Sequence, residues 1–285
     1  MENMLDYYYK NPDYLINYSH TVSHEAQSFD FHLHNRYKIY FFISGNVDYF
    51  IERKMYRLKY GDMLIFNNQE IHKPSLLPGS PYERIIIHFD PSIPFMFGLH
   101  GRNLLDCFQN RPCGEGNKTG LNEFQIREVL SRLSSIETLD PDDESSKLLK
   151  LVRFIDILHF INQLFSDAKY MDDHQAIPEK LVPVFNCIEE NLEKELSLAT
   201  LEHKFYINRY HLCRLFKKSA GRSLHEYIIY KRISRSKKLL SEGKSVTEAG
   251  ILSGFSDYSN FLRIFKRTVG LTPGQYRKMY RISPF

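Results

Sequence analysis

The strongest constraint on the fold is an internal repeat in the last third of the chain. At an offset of 49 residues, segment 212–218 (LCRLFKK) aligns with segment 261–267 (FLRIFKR), apolar on apolar and basic on basic. Three further residue pairs follow at the same offset: Gly221 with Gly270, Ser223 with Thr272, and Tyr227 with Tyr276. Such a repeat indicates one supersecondary unit used twice. The sequence therefore predicts two small helical subdomains in succession.

Each copy contains a predicted helix with an apolar stripe and a cationic edge. Leu212, Leu215 and Phe216 follow the i, i+3, i+4 spacing that places side chains on one helix face. Arg214 and Lys217 lie off that face, and the second copy repeats both features. A recognition helix of a helix-turn-helix needs this design, because apolar residues anchor it while polar residues face the DNA. The alternative is a merely solvated helix face.

The exposed edges supply the candidate DNA contacts. Polar residues in the first half of each helix are predicted to face base edges, since Arg can pair bidentately with guanine and Asn with adenine. These residues are Tyr210, Cys213, Arg214, Tyr258, Ser259, Asn260 and Arg263. Flanking cations suit phosphate oxygens, which fix the register of a protein on DNA. These residues are Arg209, Lys217, Lys218, Lys266 and Arg267.

The distribution of charge also favours double-stranded DNA as the partner. Residues 181–285 hold 19 Lys and Arg against 9 Asp and Glu, whereas residues 1–180 hold 19 against 25. A basic block on a mildly acidic body is typical of a nucleic-acid-binding domain attached to another domain. Basic blocks also bind anionic membranes or acidic proteins. The repetition of the cationic edges in register favours DNA.

Local signals indicate helices throughout the basic block. An amphipathic helix is predicted over residues 181–192. Ser197, Asn208 and Ser223 are predicted N-caps of the next three helices, since their side chains can accept hydrogen bonds from free backbone N–H groups. Gly221 is the predicted left-handed residue that ends the third helix, and the fourth extends to Leu240.

Segments 206–218 (YINRYHLCRLFKK), 254–267 (GFSDYSNFLRIFKR) and 270–277 (GLTPGQYR) closely resemble the two helix-turn-helix segments of AraC/XylS-type transcription regulators. The resemblance covers residues 181–280. It implies two subdomains joined by a long helix over residues 224–240, each with one recognition helix in successive major-groove segments. RNA polymerase is a further candidate partner. Where the family usually has a small residue in the helix before each turn, this chain has Glu202 and, after Ala249, Gly250.

The first ninety residues are predicted to form short β-strands. Segments rich in Tyr, Phe and Ile alternate with turn signals such as Gly45, Gly61 and Asn67-Asn68. The predicted strands are residues 31–43, 47–50, 54–58, 63–66 and 84–89. Strands this short and closely spaced indicate a β-barrel or jelly roll. A loop with Gly and Pro follows over residues 98–120, in which residues 118–120 are interpreted as a flexible turn.

Two helical patterns follow, over residues 121–136 and 146–165. The second is apolar over so wide an arc that we expect it to pack on two surfaces or in a dimer seam. The predicted fold class is therefore α+β, and a homodimer is expected. The predicted domains are a cupin-like barrel (1–100), a helical dimerisation segment (101–172), a linker (173–180) and an all-α tandem helix-turn-helix domain (181–285).

His32-Leu33-His34 and residues 61–72 (GDMLIFNNQEIH) resemble the two motifs of the cupin barrel. This barrel is the usual sensor domain of sugar-responsive AraC/XylS-type regulators, and the resemblance covers residues 20–95. Strand alternation and the second motif place hydrogen-bond donors and aromatic rings inside the barrel, where they suit a sugar, a sugar phosphate or another polar anion. The candidate effector-binding residues are His32, His34, Arg36, Lys38, Tyr40 and His72. Alternatively, Arg36 and Lys38 are solvated at the barrel mouth.

The cupin resemblance also implies a metal site of three His and one Glu, which this chain lacks in part. The corresponding positions are His32, His34, Lys38 and His72. Lys38 removes the carboxylate and adds a charge that repels a divalent ion, although three His could still hold zinc. We therefore expect a barrel without metal or other cofactor. The alternative is a metal-dependent cupin enzyme with a nucleic-acid-binding tether.

No motif points to other chemistry. The chain contains no GxSxG, GxxxxGK[ST], GxGxxG or HExxH, so no catalytic site is expected. The four cysteines lack CxxC spacing and favour reduced thiols in the cytoplasm. No run approaches the roughly 18 apolar residues of a membrane span. The sequence predicts a ligand-responsive regulator of carbohydrate-utilisation genes, and a constitutive DNA-binding regulator whose barrel only dimerises is the other alternative.

Overall fold

The computed structural model describes residues 15–24, 36–77, 79, 81–94, 104–140, 143–167 and 177–280. Its N-terminal part consists of short strands that pair antiparallel throughout. The strands are β1 (Ile16–Ser23), β2 (Tyr37–Ser44), β3 (Val47–Ile51), β4 (Lys54–Arg57), β5 (Asp62–Phe66), β6 (His72–Leu76), β7 (Tyr82–Phe89) and β8 (Lys118–Gly120). They form one sheet in the order β1-β7-β2-β5-β8 and a smaller sheet in the order β4-β3-β6.

Both sheets contribute side chains to an aromatic core, in which Tyr40, Tyr49 and Phe66 are fully buried. The other face of the larger sheet packs against two helices, which cover Phe41, Ile65 and Phe89. The helices of this part are α1 (Asp106–Gln109), α2 (Glu123–Glu137) and α3 (Glu144–Asp167). The arrangement is a pair of facing sheets of the jelly-roll kind, backed by helices on one side.

The C-terminal part is all-helical, which confirms the predicted α+β class. A 3₁₀ turn (Glu179–Leu181) leads into α4 (Val182–Glu190), α5 (Leu198–Phe205), α6 (Arg209–Ala220), α7 (Leu224–Ser241), α8 (Val246–Leu252), α9 (Tyr258–Val269) and α10 (Pro273–Tyr280). We call α4–α6 the first unit, α7 the linking helix and α8–α10 the second unit. Each unit has its own core, built around Phe185 and Phe216 in the first and around Phe261 and Phe265 in the second.

Three strands were not predicted, and each has a physical reason. Strand β1 is polar and lies at the edge of its sheet. Strand β6 contains Pro74, which normally argues against a strand but is tolerated here because β6 is an edge strand of the smaller sheet. Strand β8 corrects the flexible-turn interpretation of residues 118–120. These residues pair with β5, and Nζ of the buried Lys118 lies 3.1 Å from Oδ2 of Asp62.

The predicted helices and caps are confirmed where the structure describes them. The patterns over 121–136 and 146–165 correspond to α2 and α3, and the loop predicted over 98–120 also contains the short helix α1. Ser197, Asn208 and Ser223 accept backbone hydrogen bonds as N-caps of α5, α6 and α7. Across the described ranges, no helix combines the length and the hydropathy that crossing a membrane requires.

Candidate nucleic-acid interface and effector pocket

Helices α6 and α9 are the two copies of the repeat, and they match in length and in the positions of both caps. Each has 12 residues and starts after an N-cap whose side chain accepts a backbone hydrogen bond, Asn208 in one copy and Asp257 in the other. Each ends at a left-handed glycine, Gly221 with φ of 72° and Gly270 with φ of 81°. A residue with a side chain would be strained at this φ, so the glycines fix where both helices end. The offset of 49 residues therefore holds from cap to cap.

The predicted division between a buried stripe and an exposed edge is present in both helices. Leu212 and Phe216 of α6 are fully buried, as are Phe261 and Phe265 of α9. The predicted DNA contacts are exposed, apart from Cys213 and Asn260, which are partly buried. The exposed members are Arg209, Tyr210, Arg214, Lys217, Lys218, Tyr258, Ser259, Arg263, Lys266 and Arg267.

An arginine in the second turn of each helix contacts a side chain one turn earlier. In α9, Nη2 of Arg263 donates to Oδ1 of Asn260 at 2.7 Å. In α6, Nη2 of Arg214 lies 3.5 Å from Nδ1 of His211 at the equivalent position. These contacts hold the guanidinium groups along the helix face, where they can reach guanine edges. His211 was not among the predicted contacts, although its place one turn before Arg214 could have indicated it.

Two exposed aromatic side chains lie at the start of α6. Tyr210 is 73% exposed, and the guanidinium carbon of Arg209 lies 5.2 Å from its ring centroid. Tyr206 is 92% exposed in the turn before α6, where its φ of 52° is unusual for a residue with a side chain. Tyr206 was also missed by the sequence analysis. Tyr206 lies three positions before the candidate phosphate contact Arg209, so an exposed phenol precedes α6.

Both departures from the family pattern have a structural explanation. The carboxylate of Glu202 points away from the core of the first unit and accepts a hydrogen bond from the backbone N–H of Arg209 at 3.0 Å. It therefore stabilises the N-terminus of α6 from the preceding helix. Gly250 lies against the ring of Phe261, and a Cβ there would approach Cδ1 of that ring to 2.9 Å. The close packing of α8 on α9 therefore requires a residue without a side chain.

An open groove of about 780 Å³ separates the linking helix from α9. The first half of α7 forms one wall, which includes His225 and Tyr230. The other wall carries three of the predicted DNA contacts, Asn260, Arg263 and Arg267. These three residues are therefore accessible from the groove beside α7.

The candidate effector residues lie between the two sheets, where the structure describes them. Lys38 and Tyr40 of β2 point into the aromatic core and are 4% and 0% exposed. His72 on β6 is 2% exposed and its ring stacks on Phe66 at 4.0 Å between centroids. Lys38 is therefore not solvated at the barrel mouth. Arg36 is half-buried before the start of β2, and His32 and His34 lie outside the described residues.

The side-chain nitrogen of Lys38 contacts a hydroxyl, an imidazole and aromatic rings, and the charge of Arg84 lies nearby. Nζ donates to the hydroxyl of Tyr49 at 2.9 Å and lies 3.5 Å from Nε2 of His72. It also lies 5.3–5.6 Å from the ring centroids of Tyr40, Tyr49 and Phe66. Within the described part of the chain, no carboxylate contacts this nitrogen. Burial and the nearby charge of Arg84 lower the pKa of Lys38 to about 7.

The hydrogen bonds around His72 determine its tautomer. Nδ1 of His72 lies 3.0 Å from the carbonyl oxygen of Glu70, which can only accept, so Nδ1 carries the proton. Nε2 is then an acceptor that faces Lys38. Tyr49 and Phe66, which form this environment, were not among the candidates, because the sequence does not give the register that brings their strands beside β2. No group of three or more potential metal ligands occurs among the residues with described positions.

Both parts of the chain are similar to known protein families. Residues 18–106 match the family described as the AraC-like ligand binding domain, and residues 201–279 match a helix-turn-helix domain family. The uncharacterized HTH-type transcriptional regulator YbfI from Bacillus subtilis is 27% identical over 236 residues, which is 82% of each protein. The similarly named SACOL0084 from Staphylococcus aureus is 27% identical over 275 residues, and these are 93% of this chain. The chain spans about a third of the length of that staphylococcal relative.

Among solved structures, ToxT from Vibrio cholerae aligns with 93% of this chain and 99% of its own. The sequence identity is 18% and the TM-score is 0.38.

Proposed function

Because the chain belongs to the AraC/XylS family of transcription regulators, we propose that it binds operator DNA in a sequence-specific manner through α6 and α9. The observation that carries this proposal is the repetition of two capped 12-residue helices with exposed cationic edges. Arg214 and Arg263 contact bases, and Lys217 and Lys266 contact phosphates. The regulator acts in the cytoplasm on double-stranded DNA and performs no catalysis.

The two helices read two adjacent segments of the major groove. The linking helix α7 joins the two units, and α6 and α9 have the same length and matching caps. The two recognition helices therefore contact the DNA at a fixed separation. Recognition helices of paired units commonly read sites about one helical turn, or 10–10.5 base pairs, apart. The proposed operator is therefore bipartite, with one half-site for each unit.

The space between the sheets binds a small polar effector, and Lys38 is its anchor. A buried lysine whose described partners are the hydroxyl of Tyr49 and the imidazole of His72 can still donate to an anionic group. A sugar acid or sugar phosphate satisfies this requirement and also matches the nearby hydroxyl groups, which include the paired hydroxyls of Tyr40 and Tyr82 at 2.9 Å. The proposed target genes are accordingly those of carbohydrate use.

The chain acts as a homodimer through α3. Leu148, Leu149 and Val152 lie in the first turns of this helix and are 49%, 43% and 52% exposed. Apolar residues adjacent on a helix surface form a patch that a second copy of the same helix can cover. The opposite side of α3, which includes Leu151 and Phe154, is buried against the larger sheet.

Selection of bound fragments from random DNA by the full chain tests this function. We expect enrichment of a bipartite site that footprinting maps to two neighbouring major-groove segments on one side of the duplex. The same selection repeated with gluconate, glucose 6-phosphate and glucose tests the effector. Failure to enrich any sequence would contradict the proposal that this chain is a DNA-binding regulator.

A further inference from the structure

The N-terminal domain touches both helix-turn-helix units. We call five of its contacting residues the clamp: Glu52, Asn68, Gln69, Lys73 and Asp90. Phe50 and Arg53 also contact the first unit, where Arg53 donates to Oδ1 of Asn186 at 2.7 Å. On the first unit, Nζ of Lys73 donates to the carbonyl oxygen of Gly221 at 2.7 Å. On the second unit, the hydroxyl of Tyr280 lies 3.5 Å from Oδ2 of Asp90. The clamp therefore reaches both ends of the tandem domain, one of them at the glycine that ends α6.

Between these ends the clamp contacts one face of the linking helix. Nζ of Lys231 lies 2.8 Å from Oε2 of Glu52. One turn later, the hydroxyl of Ser234 donates to the carbonyl oxygen of Gln69 at 2.8 Å. Nζ of Lys237 donates to the carbonyl oxygen of Asn68 in the next turn. The spacing of three residues places all three donors on the side of α7 that faces the smaller sheet.

The ion pair at the centre of the clamp is almost fully removed from solvent. The side chains of Glu52 and Lys231 are 3% and 12% exposed. Burial is the largest single influence and lowers the pKa of Lys231, but the surrounding acidic groups, led by Glu52 and including Glu189, together raise this pKa well above its usual value. The second oxygen of Glu52 accepts the backbone N–H of Ile71 at 2.8 Å. A pair with this geometry fixes the distance between the two elements that carry it.

The turn that carries Asn68 and Gln69 is itself rigid. Glu70 is fully buried, and its carboxylate forms a bidentate pair with Arg111 at 2.6 and 2.7 Å. The same carboxylate accepts hydrogen bonds from the backbone of Gly114 and the side chain of Asn117. The turn therefore holds Asn68 and Gln69 in fixed positions, because moving it would break several charge-assisted hydrogen bonds of Glu70 at once.

The clamp does not cover the candidate DNA contacts. Arg214 and Lys217 on α6 and Arg263 and Lys266 on α9 are exposed while the N-terminal domain is docked. Steric masking of the DNA-facing edges is therefore not the role of this interface. What the contacts constrain is the placement of the two units relative to each other.

We propose that the clamp fixes the spacing of the two recognition helices, so that Glu52 and Lys231 are positioning residues for the operator half-site distance. The proposal rests on the proposed function, since it concerns the same two helices. Apart from the clamp, the units are joined by the linking helix and by the close approach of Gly254 to the carbonyl oxygen of Leu192. With the clamp, a rigid third body touches the first unit, the linking helix and the second unit simultaneously.

The smaller sheet connects this clamp to the effector pocket. Neighbouring residues of a strand face opposite sides of a sheet. In β6, His72 faces Lys38 between the two sheets, while Lys73 faces Gly221. In β3, Tyr49 lies in the aromatic core while Phe50 packs into the core of the first unit. Because His72 and Lys73 are neighbours on β6, a ligand that displaces His72 also shifts Lys73 and its hydrogen bond to Gly221.

Operator spacing tests the proposal with the full chain. The enriched operator is compared with versions that gain or lose one base pair between the half-sites, and with a duplex that carries one half-site. The variants are Glu52→Gln/Lys231→Met, which removes both charges together, and Ser234→Ala, which removes one hydrogen bond. Lys238→Met, an exposed position on the same helix, is the matched control.

We expect the wild type and Lys238→Met to bind altered spacings about tenfold more weakly. In the double variant this discrimination falls to within about threefold, while affinity for the single half-site changes less than about twofold. Ser234→Ala shows the same change to a smaller extent. Thermal unfolding by circular dichroism reports whether each variant folds.

Undiminished spacing discrimination in the two folded clamp variants would overturn the proposal. An equal loss of affinity for the operator and the single half-site would overturn it as well, since that result indicates a general structural defect. If the wild type enriches no DNA sequence, the proposed function itself fails, and the clamp proposal fails with it.

Discussion

The guanidinium group of Arg263 donates a hydrogen bond to Oδ1 of Asn260, one turn earlier on the recognition helix of the second unit. The two side chains that best suit base readout are therefore held together before DNA arrives. Fixing a long side chain in advance reduces the conformational entropy lost on binding. The equivalent pair in the first unit is Arg214 with His211.

Replacement of Arg263 tests its role at a base. We expect Arg263→Ala to weaken operator binding by about 1–3 kcal/mol and to relax specificity at one base position, because a bidentate contact to guanine is lost. Fluorescence anisotropy with a panel of single-base operator variants measures both effects. Lys244→Ala, an exposed cation outside both recognition helices, is the control. Unchanged affinity and specificity would mean that the DNA-facing edge of α9 is assigned wrongly.

Lys217 is expected to act without regard to sequence. Lys217→Ala should weaken binding to the operator and to unrelated DNA by the same factor, since a phosphate contact carries no base information. The slope of log K against log salt concentration should become flatter by about one unit. Titrations at four salt concentrations measure this slope. A loss confined to the operator would instead place Lys217 at a base.

The packing of Gly250 on Phe261 predicts opposite effects for two glycines in helices. Open space surrounds the position that a Cβ on Gly274 of α10 would occupy, so Gly274→Ala should raise the free energy of unfolding by up to about 1 kcal/mol. At Gly250 the same gain in helix propensity is opposed by contact with the Phe261 ring at 2.9 Å. We expect Gly250→Ala to destabilise by about 1–3 kcal/mol. Urea unfolding of the two variants measures whether the free energy of unfolding rises for the change at Gly274 and falls for the change at Gly250. Equal changes in the two variants would contradict the close packing of Gly250 on Phe261.

Lys38 should make stability depend on pH in the alkaline range. Its pKa is lowered from 10.5 to about 7, so between these values the unfolded chain binds a proton that the folded chain does not. Stability conferred by the neutral amine therefore falls as pH decreases from 10.5 towards 7. Relative to Lys38→Met, the wild type should lose about 2 kcal/mol between about pH 9 and about pH 7. Urea unfolding at both values tests this, and parallel curves for the two proteins would contradict it.

The exposed patch on α3 predicts a change of oligomeric state. Val152→Glu should raise the dimer dissociation constant by about tenfold or more, because a charge would be buried in an apolar contact. Sedimentation velocity over a concentration series measures the shift. Ser134→Glu, on an exposed polar position of α2, should leave the dimer intact. A dimer unaffected by Val152→Glu would place the interface elsewhere.

The sequence predicts the recognition helices well because their determinants are local. Asn208 and Gly221 act within one helical turn of their own positions, and the buried stripe repeats every three or four residues. The buried environment of Lys38 is less accessible to such reasoning, because Tyr49 and Phe66 reach it from other strands. The clamp cannot be predicted from the sequence, since Glu52 and Lys231 are 179 positions apart and neither belongs to a motif.

The two glycines that end the recognition helices differ in what surrounds them. A methyl group added at Gly270 would meet nothing within 4 Å, whereas one added at Gly221 would lie 2.8 Å from Nζ of Lys73. The two helix-turn-helix units therefore differ at this position, because Lys73 of the N-terminal domain contacts the glycine that ends α6 and no such contact is present among the described residues at the glycine that ends α9. The DNA-facing residues of the two helices differ as well. Reversing the operator would therefore exchange which half-site meets the unit that Lys73 contacts, so orientation relative to a promoter carries information.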